Sequence, residues 1–122
     1  MIRFKINKIF IGVLILFAVC FMYPQMSLAT APQDVQLSYD SQSQMLTVMI
    51  THKSLFPNFH YIRIVEIKNN GDIVSINRYK NQPDQTIFTY SYKVPARVSD
   101  TLEVTASCSL FGSKTVSLII EK

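Results

Sequence analysis

Past residue 30 the sequence predicts an all-β fold, a single antiparallel sandwich of seven short strands. Apolar side chains recur at every second position in runs of six to nine residues. Such a two-residue period places one face of each run on a core and the other in water. Clusters of Asn, Asp, Ser, Gly and Pro separate the runs, and no stretch beyond residue 30 shows a helical period.

The elements follow in order. Asp34 to Tyr39 places Val35, Leu37 and Tyr39 on one face, and Asp40 to Ser43 is a turn cluster. Met45 to Thr51 alternates Leu46, Val48 and Ile50 inward. Tyr61 to Lys68 is rich in Ile and Val, and Asn69 to Asp72 reads as a tight hairpin, since Asn and Gly accept positive φ. Ile73 to Tyr79 is the fourth strand, followed by the loop 80–85. Thr86 to Val94 aligns Phe88, Tyr90, Tyr92 and Val94. After the connection Pro95 to Asp100, Thr101 to Cys108 aligns Leu102, Val104, Ala106 and Cys108. Lys114 to Glu121 closes the set with Val116, Leu118 and Ile120 in phase. Seven half-polar strands joined by turns make the sandwich immunoglobulin-like in type, without the Cys-Trp-Cys core of antibody domains.

Residues 1–29 belong to a different class. Arg3, Lys5 and Lys8 stand without an acid, Ile9 to Tyr23 is unbroken apolar sequence, and small residues follow. This is the order of a secretory signal peptide, with cleavage expected after Ala29. An uncleaved N-terminal anchor is the alternative, and it is the only membrane contact the sequence offers. Cys20 makes a poor lipoprotein site, because bulky Val19 precedes it. The expected organisation is a leader over 1–29 and a sandwich over 30–122, exported to the periplasm or beyond the cell.

Setting the leader aside leaves nine Lys and Arg against eight Asp and Glu. So balanced a domain has no electrostatic footprint for nucleic acid or an anionic bilayer. No Gly-x-Ser-x-Gly elbow or Gly-rich phosphate loop is present, which argues against hydrolase and nucleotide-binding chemistry.

The candidate site lies in the stretch Thr51 to Ile62, which holds both histidines of the chain, His52 and His60, around Pro57. If successive strands alternate direction, strands two, four and six end at one pole. His52 closes strand two, His60 opens strand three and Cys108 closes strand six, so all three converge there. Cys108 is the only cysteine outside the leader and cannot form an internal disulfide. It is a metal ligand, a reactive thiol, an intermolecular bridge or a small buried hydrophobe. Two imidazoles and a thiolate suit iron, copper, zinc or nickel, and three ligands leave a position open for a small exogenous ligand. Lys53 and Lys114 are cations at the same pole. Phe56 and Phe59 offer a contact surface.

These residues resemble the ferrous-iron domain of superoxide reductases and desulfoferrodoxins. The likeness runs through His52, Pro57, His60-Tyr61-Ile62, Val65-Glu66, Asn70-Gly71, Tyr79, Gln82-Pro83, the stretch Phe88 to Tyr92, Cys108 and Gly112. It implies a seven-stranded immunoglobulin-like domain binding iron through histidines and an axial cysteine. It also implies an oxidoreductase that reduces superoxide, a small anion, by one electron from a protein donor. The sequence departs from that pattern at two ligands. Phe111 stands where the family has a ligating His after the Cys, and the segment 30–35 contains neither the family's His nor its Lys. At most His52, His60 and Cys108 remain as metal ligands. With the leader, the resemblance therefore implies an exported iron-binding domain with superoxide reduction weakened or lost, while the donor types alone also admit copper or zinc. A non-catalytic module that docks a partner protein is the alternative. A thiosulfate-oxidation carrier subunit with an immunoglobulin-like fold has a related His-loop-His pattern.

Overall fold

The computed structural model describes residues 8–22 and 31–122, with side chains in the helix described as far as residue 18. Seven antiparallel strands form two sheets. They are β1 (Asp34–Asp40), β2 (Met45–Thr51), β3 (Ile62–Asn69), β4 (Asp72–Arg78), β5 (Ile87–Lys93), β6 (Thr101–Cys108) and β7 (Ser113–Ile119). A helix, α1 (Lys8–Met22), covers the apolar run of the expected leader. Among the described residues no helix is long and apolar enough to cross a membrane. Arg3, Lys5 and the expected cleavage bond after Ala29 lie outside the described residues.

One sheet has the order β1-β2-β5 and the other β4-β3-β6-β7. The expected strand boundaries agree with the observed ones to within two residues. The two-residue period is read out directly in the core. Leu46, Val48 and Ile50 of β2 face Val65 and Ile67 of β3 and Leu102, Val104 and Ala106 of β6, all fully buried. Val35, Ile62, Phe88, Val94 and Ile120 complete the cluster. Burying such side chains stabilises the fold by about 1.5–3 kcal/mol each.

β4 departs from the inward-outward rule. Its apolar residues Ile73, Val74 and Ile76 are exposed, because β4 is an edge strand that covers little of the core. The Asn69↔Asp72 pair closes on Asn70 and Gly71, both at positive φ, as the mirror-image turn of a two-residue hairpin requires.

The distal pole, opposite the histidines, is tied by Asp100. Its carboxylate accepts from Asn69 Nδ2, Asn70 Nδ2 and the Arg97 backbone N–H. Those bonds, led by the one from Arg97, hold its carboxyl below the ordinary aspartate value. On the β5 face Tyr79 stacks on Tyr90 at 4.3 Å, and its hydroxyl lies 2.5 Å from that of Tyr92.

Candidate metal site

His52 continues the inward row of β2, two residues past Ile50, and is 1 % exposed. Cys108 ends the inward row of β6 and is the register partner of Ile62 on β3. His60 lies two residues before Ile62, at the end of the loop that joins β2 to β3. His52 lies one residue past the end of β2, Cys108 is the last residue of β6 and His60 lies two residues before β3, so the three meet at one pole. One nitrogen of each histidine and the Cys108 sulfur all lie within 4.8 Å of one another. The two rings meet edge to face, centroids 4.6 Å apart and planes at 79°.

The loops around these residues are fixed by backbone bonds. His52 N–H donates to Thr86 C=O and Ser54 N–H to Gln85 C=O, which extends the β2–β5 pairing past its ends. Buried Ser54 donates its hydroxyl to His60 C=O, closing the loop on itself. The His60 N–H donates to Phe56 C=O. Ser109 joins the loop to the β6–β7 turn, accepting from Tyr61 N–H and donating to Phe59 C=O.

Gln82 carries the most information at this pole. It is 4 % exposed and uses both ends of its amide. Nε2 donates to His52 C=O at 2.9 Å and Asp84 C=O at 2.8 Å, while Oε1 accepts from Ile62 N–H at 3.2 Å. Two carbonyls on one side and an N–H on the other determine which end is oxygen. That oxygen lies 2.8 Å from His52 Nδ1, so Nδ1 carries the hydrogen, and in the neutral ring Nε2 is the unprotonated nitrogen. Fixing one imidazole nitrogen so that the other can bind a metal is how histidine ligands are usually oriented. In sequence Gln82 enters only through the Gln82-Pro83 part of the resemblance, with no role attached to it. Nothing in its neighbours signals that it is buried.

His60 provides a test of whether a metal fits. Its Nε2 is buried and has no hydrogen-bond partner among the described residues. An orphaned nitrogen of this kind costs about 1–3 kcal/mol. Burial holds the His60 pKa below its ordinary value, and charge on His52 adds to the effect. Both favour the neutral ring that coordinates metals. Cys108 is a free cysteine whose sulfur accepts weakly from Leu110 N–H at 3.5 Å. The donor set therefore fits one transition-metal ion. These are the three donors that the family resemblance leaves in the sequence, which has two histidines in all.

A groove of about 490 Å³ reaches His60 between Lys53, Ser54, Leu55, Phe56, Gln85 and Thr86. Of the two expected cations, Lys53 lines this groove. Lys114 is engaged elsewhere: its Nζ donates to Gln33 C=O at 3.0 Å and lies 4.0 Å from the Asp34 carboxylate. Phe111 projects into solvent, 77 % exposed, with Leu55, Phe56 and Phe59 also exposed at this pole. The pole is completed by the segment before β1. Gln33 accepts from Lys53 N–H, and Ala31 packs on Gly112.

The chain is thus a seven-stranded antiparallel β-sandwich with a His, His, Cys cluster at one pole. No protein-family model matches it, and no curated protein matches it significantly. Among solved structures it is similar to a superoxide reductase (neelaredoxin) from Ignicoccus hospitalis. The identity is 16 % and the TM-score 0.47, with 75 % of this chain and 81 % of that one covered. A superoxide reductase from Nanoarchaeum equitans is similar at 14 % identity and a TM-score of 0.42, over 74 % of this chain and 91 % of that one. At TM-scores below 0.5 neither similarity says what this chain does.

Proposed function

We propose that the protein is an exported metal-binding domain that holds one transition-metal ion through His52, His60 and Cys108. The single observation that carries this reading is the cluster itself, three donors within 4.8 Å of one another with an orphaned, buried Nε2 on His60. Export rests on the basic, apolar and small-residue order of residues 1–29.

His52, His60 and Cys108 would hold the ion, which would supply one-electron or Lewis-acid chemistry when bound. The chain's own residues do the rest. Gln82 holds the His52 ring and its hydrogen in place. Ser54 keeps the loop closed behind His60. Lys53 lines the groove that reaches His60 and favours a small anion there. The superoxide-reductase-like activity suggested by the resemblance is weakened or lost in this reading, because two of the family's ligands have no counterpart in the sequence.

Metal analysis of the purified protein beside His52→Ala, His60→Ala and Cys108→Ala tests the reading, with superoxide reduction assayed in parallel. Stoichiometric metal in the wild type and its loss in each variant is the expected result. A folded wild type that takes up no metal overturns it and leaves the second reading, a module that docks a partner protein. The exposure of Leu55, Phe56, Phe59 and Phe111 at the same pole favours that alternative.

A further inference from the structure

We infer that the site is built for copper rather than iron. The inference rests on His52, His60 and Cys108 binding a metal at all, and it deepens that reading by naming the ion. Two imidazole nitrogens and one thiolate sulfur, with no strong fourth ligand, are the donors of trigonal copper sites. Ferrous iron prefers more ligands and harder ones. No aspartate or glutamate joins the cluster among the described residues, and the chain has no third histidine. The groove beside His60 offers the hydroxyls of Ser54 and Thr86 and the amide of Gln85, but neither a carboxylate nor a second sulfur.

The setting of the three donors points the same way. Two lie on strand ends and the third on a loop stapled at both ends, so the cluster is held by the sandwich rather than by flexible chain. His52 is fully buried with its tautomer set by Gln82. The Cys108 sulfur accepts the Leu110 backbone N–H at 3.5 Å, which ties it to the β6–β7 turn. A preorganised three-donor site suits an ion content with low coordination. Zinc, which takes four ligands in tetrahedral array, needs water or an added group to complete its shell here.

Divalent copper outcompetes iron at almost any nitrogen and sulfur site, so competition alone proves little. The test therefore offers each metal separately to the metal-free protein under anaerobic conditions and then desalts it. Copper(I) is expected to stay at about one equivalent and iron(II) below about a tenth of an equivalent. Oxidising the copper(I) protein with ferricyanide, which removes one electron per ion, is expected to give an intense visible thiolate-to-copper absorption. Cys108→Ser should abolish that band. His60→Gln should weaken it, and circular dichroism of both variants checks that they remain folded.

Retention of a full equivalent of iron(II) offered alone overturns the inference and leaves the metal site standing. Zinc that survives an equivalent of copper(I) does the same, as does copper held without the thiolate band. Failure to bind any of the three overturns the metal site itself.

Discussion

Gln82 Oε1 lies 2.8 Å from His52 Nδ1, and this one contact fixes both the tautomer and the orientation of a fully buried imidazole. The same amide satisfies Ile62 N–H and two backbone carbonyls, so it is a structural tie as well. Gln82→Leu is expected to weaken metal affinity about 10–100-fold. It should also lower stability by about 1–3 kcal/mol, because the groups it served are left buried without partners. Metal titration and urea denaturation of the same variant read the two effects separately.

Acid should destabilise the metal-free protein through His60. Its folded pKa is lowered, by desolvation first and by His52 second, from an ordinary value of 6.5. Above pH 6.5 the ring is neutral in both folded and unfolded chains and the stability is fully present. As the pH falls from there through the folded pKa, the unfolded state takes up the proton first and stability is lost. The difference between wild type and His60→Gln, followed by denaturation midpoint against pH, isolates this contribution. A difference that does not change across that window would contradict it.

Gly112 stands at φ +84°, and a Cβ there would lie 2.8 Å from the Ala31 Cβ and 3.0 Å from its nitrogen. Gly112→Ala is therefore expected to cost about 1–3 kcal/mol from the backbone conformation alone, before the clash is counted. Adding Ala31→Gly should recover the part of the clash that comes from the Ala31 Cβ and leave the backbone contacts and the conformational cost. Thermal denaturation of the single and double variants separates the two.

The Tyr79 and Tyr92 hydroxyls are 2.5 Å apart and half-buried. Desolvation pushes the Tyr92 phenol well above its ordinary pKa, followed by its bond to Tyr79. Tyr92→Phe is expected to cost about 1 kcal/mol by stranding the Tyr79 hydroxyl. The Tyr79→Phe, Tyr92→Phe double variant should cost less than the sum of the two singles, as a double-mutant cycle by chemical denaturation will show.

Much of this architecture is legible in the sequence because a strand's two-residue period encodes its buried face. Leu46, Val48 and Ile50 announce β2, and the same count carried to His52 places that histidine inward. The meeting of His52, His60 and Cys108 follows from strand direction and short turns. What sequence could not show depends on contacts between distant segments. β4 carries Ile73, Val74 and Ile76 yet leaves them exposed, since edge position is a property of the sheet. The register shift between Ile62 and Ile64 leaves no mark in composition. Gln82 reads as a polar loop residue until His52 is placed against it, 30 positions away in the chain.

The packing of Ala31 on Gly112 also decides where the chain joins the sandwich. Ala31, the first described residue of the sandwich, sits at the pole that carries the histidines, not at the distal one. Cleavage at the expected bond after Ala29 would generate an α-amino group one residue ahead of that contact, titrating at about 7.7–8.0. Processing would then do more than release the protein. It would add a charge, and a new nitrogen donor, to the end of the molecule where His52, His60 and Cys108 lie.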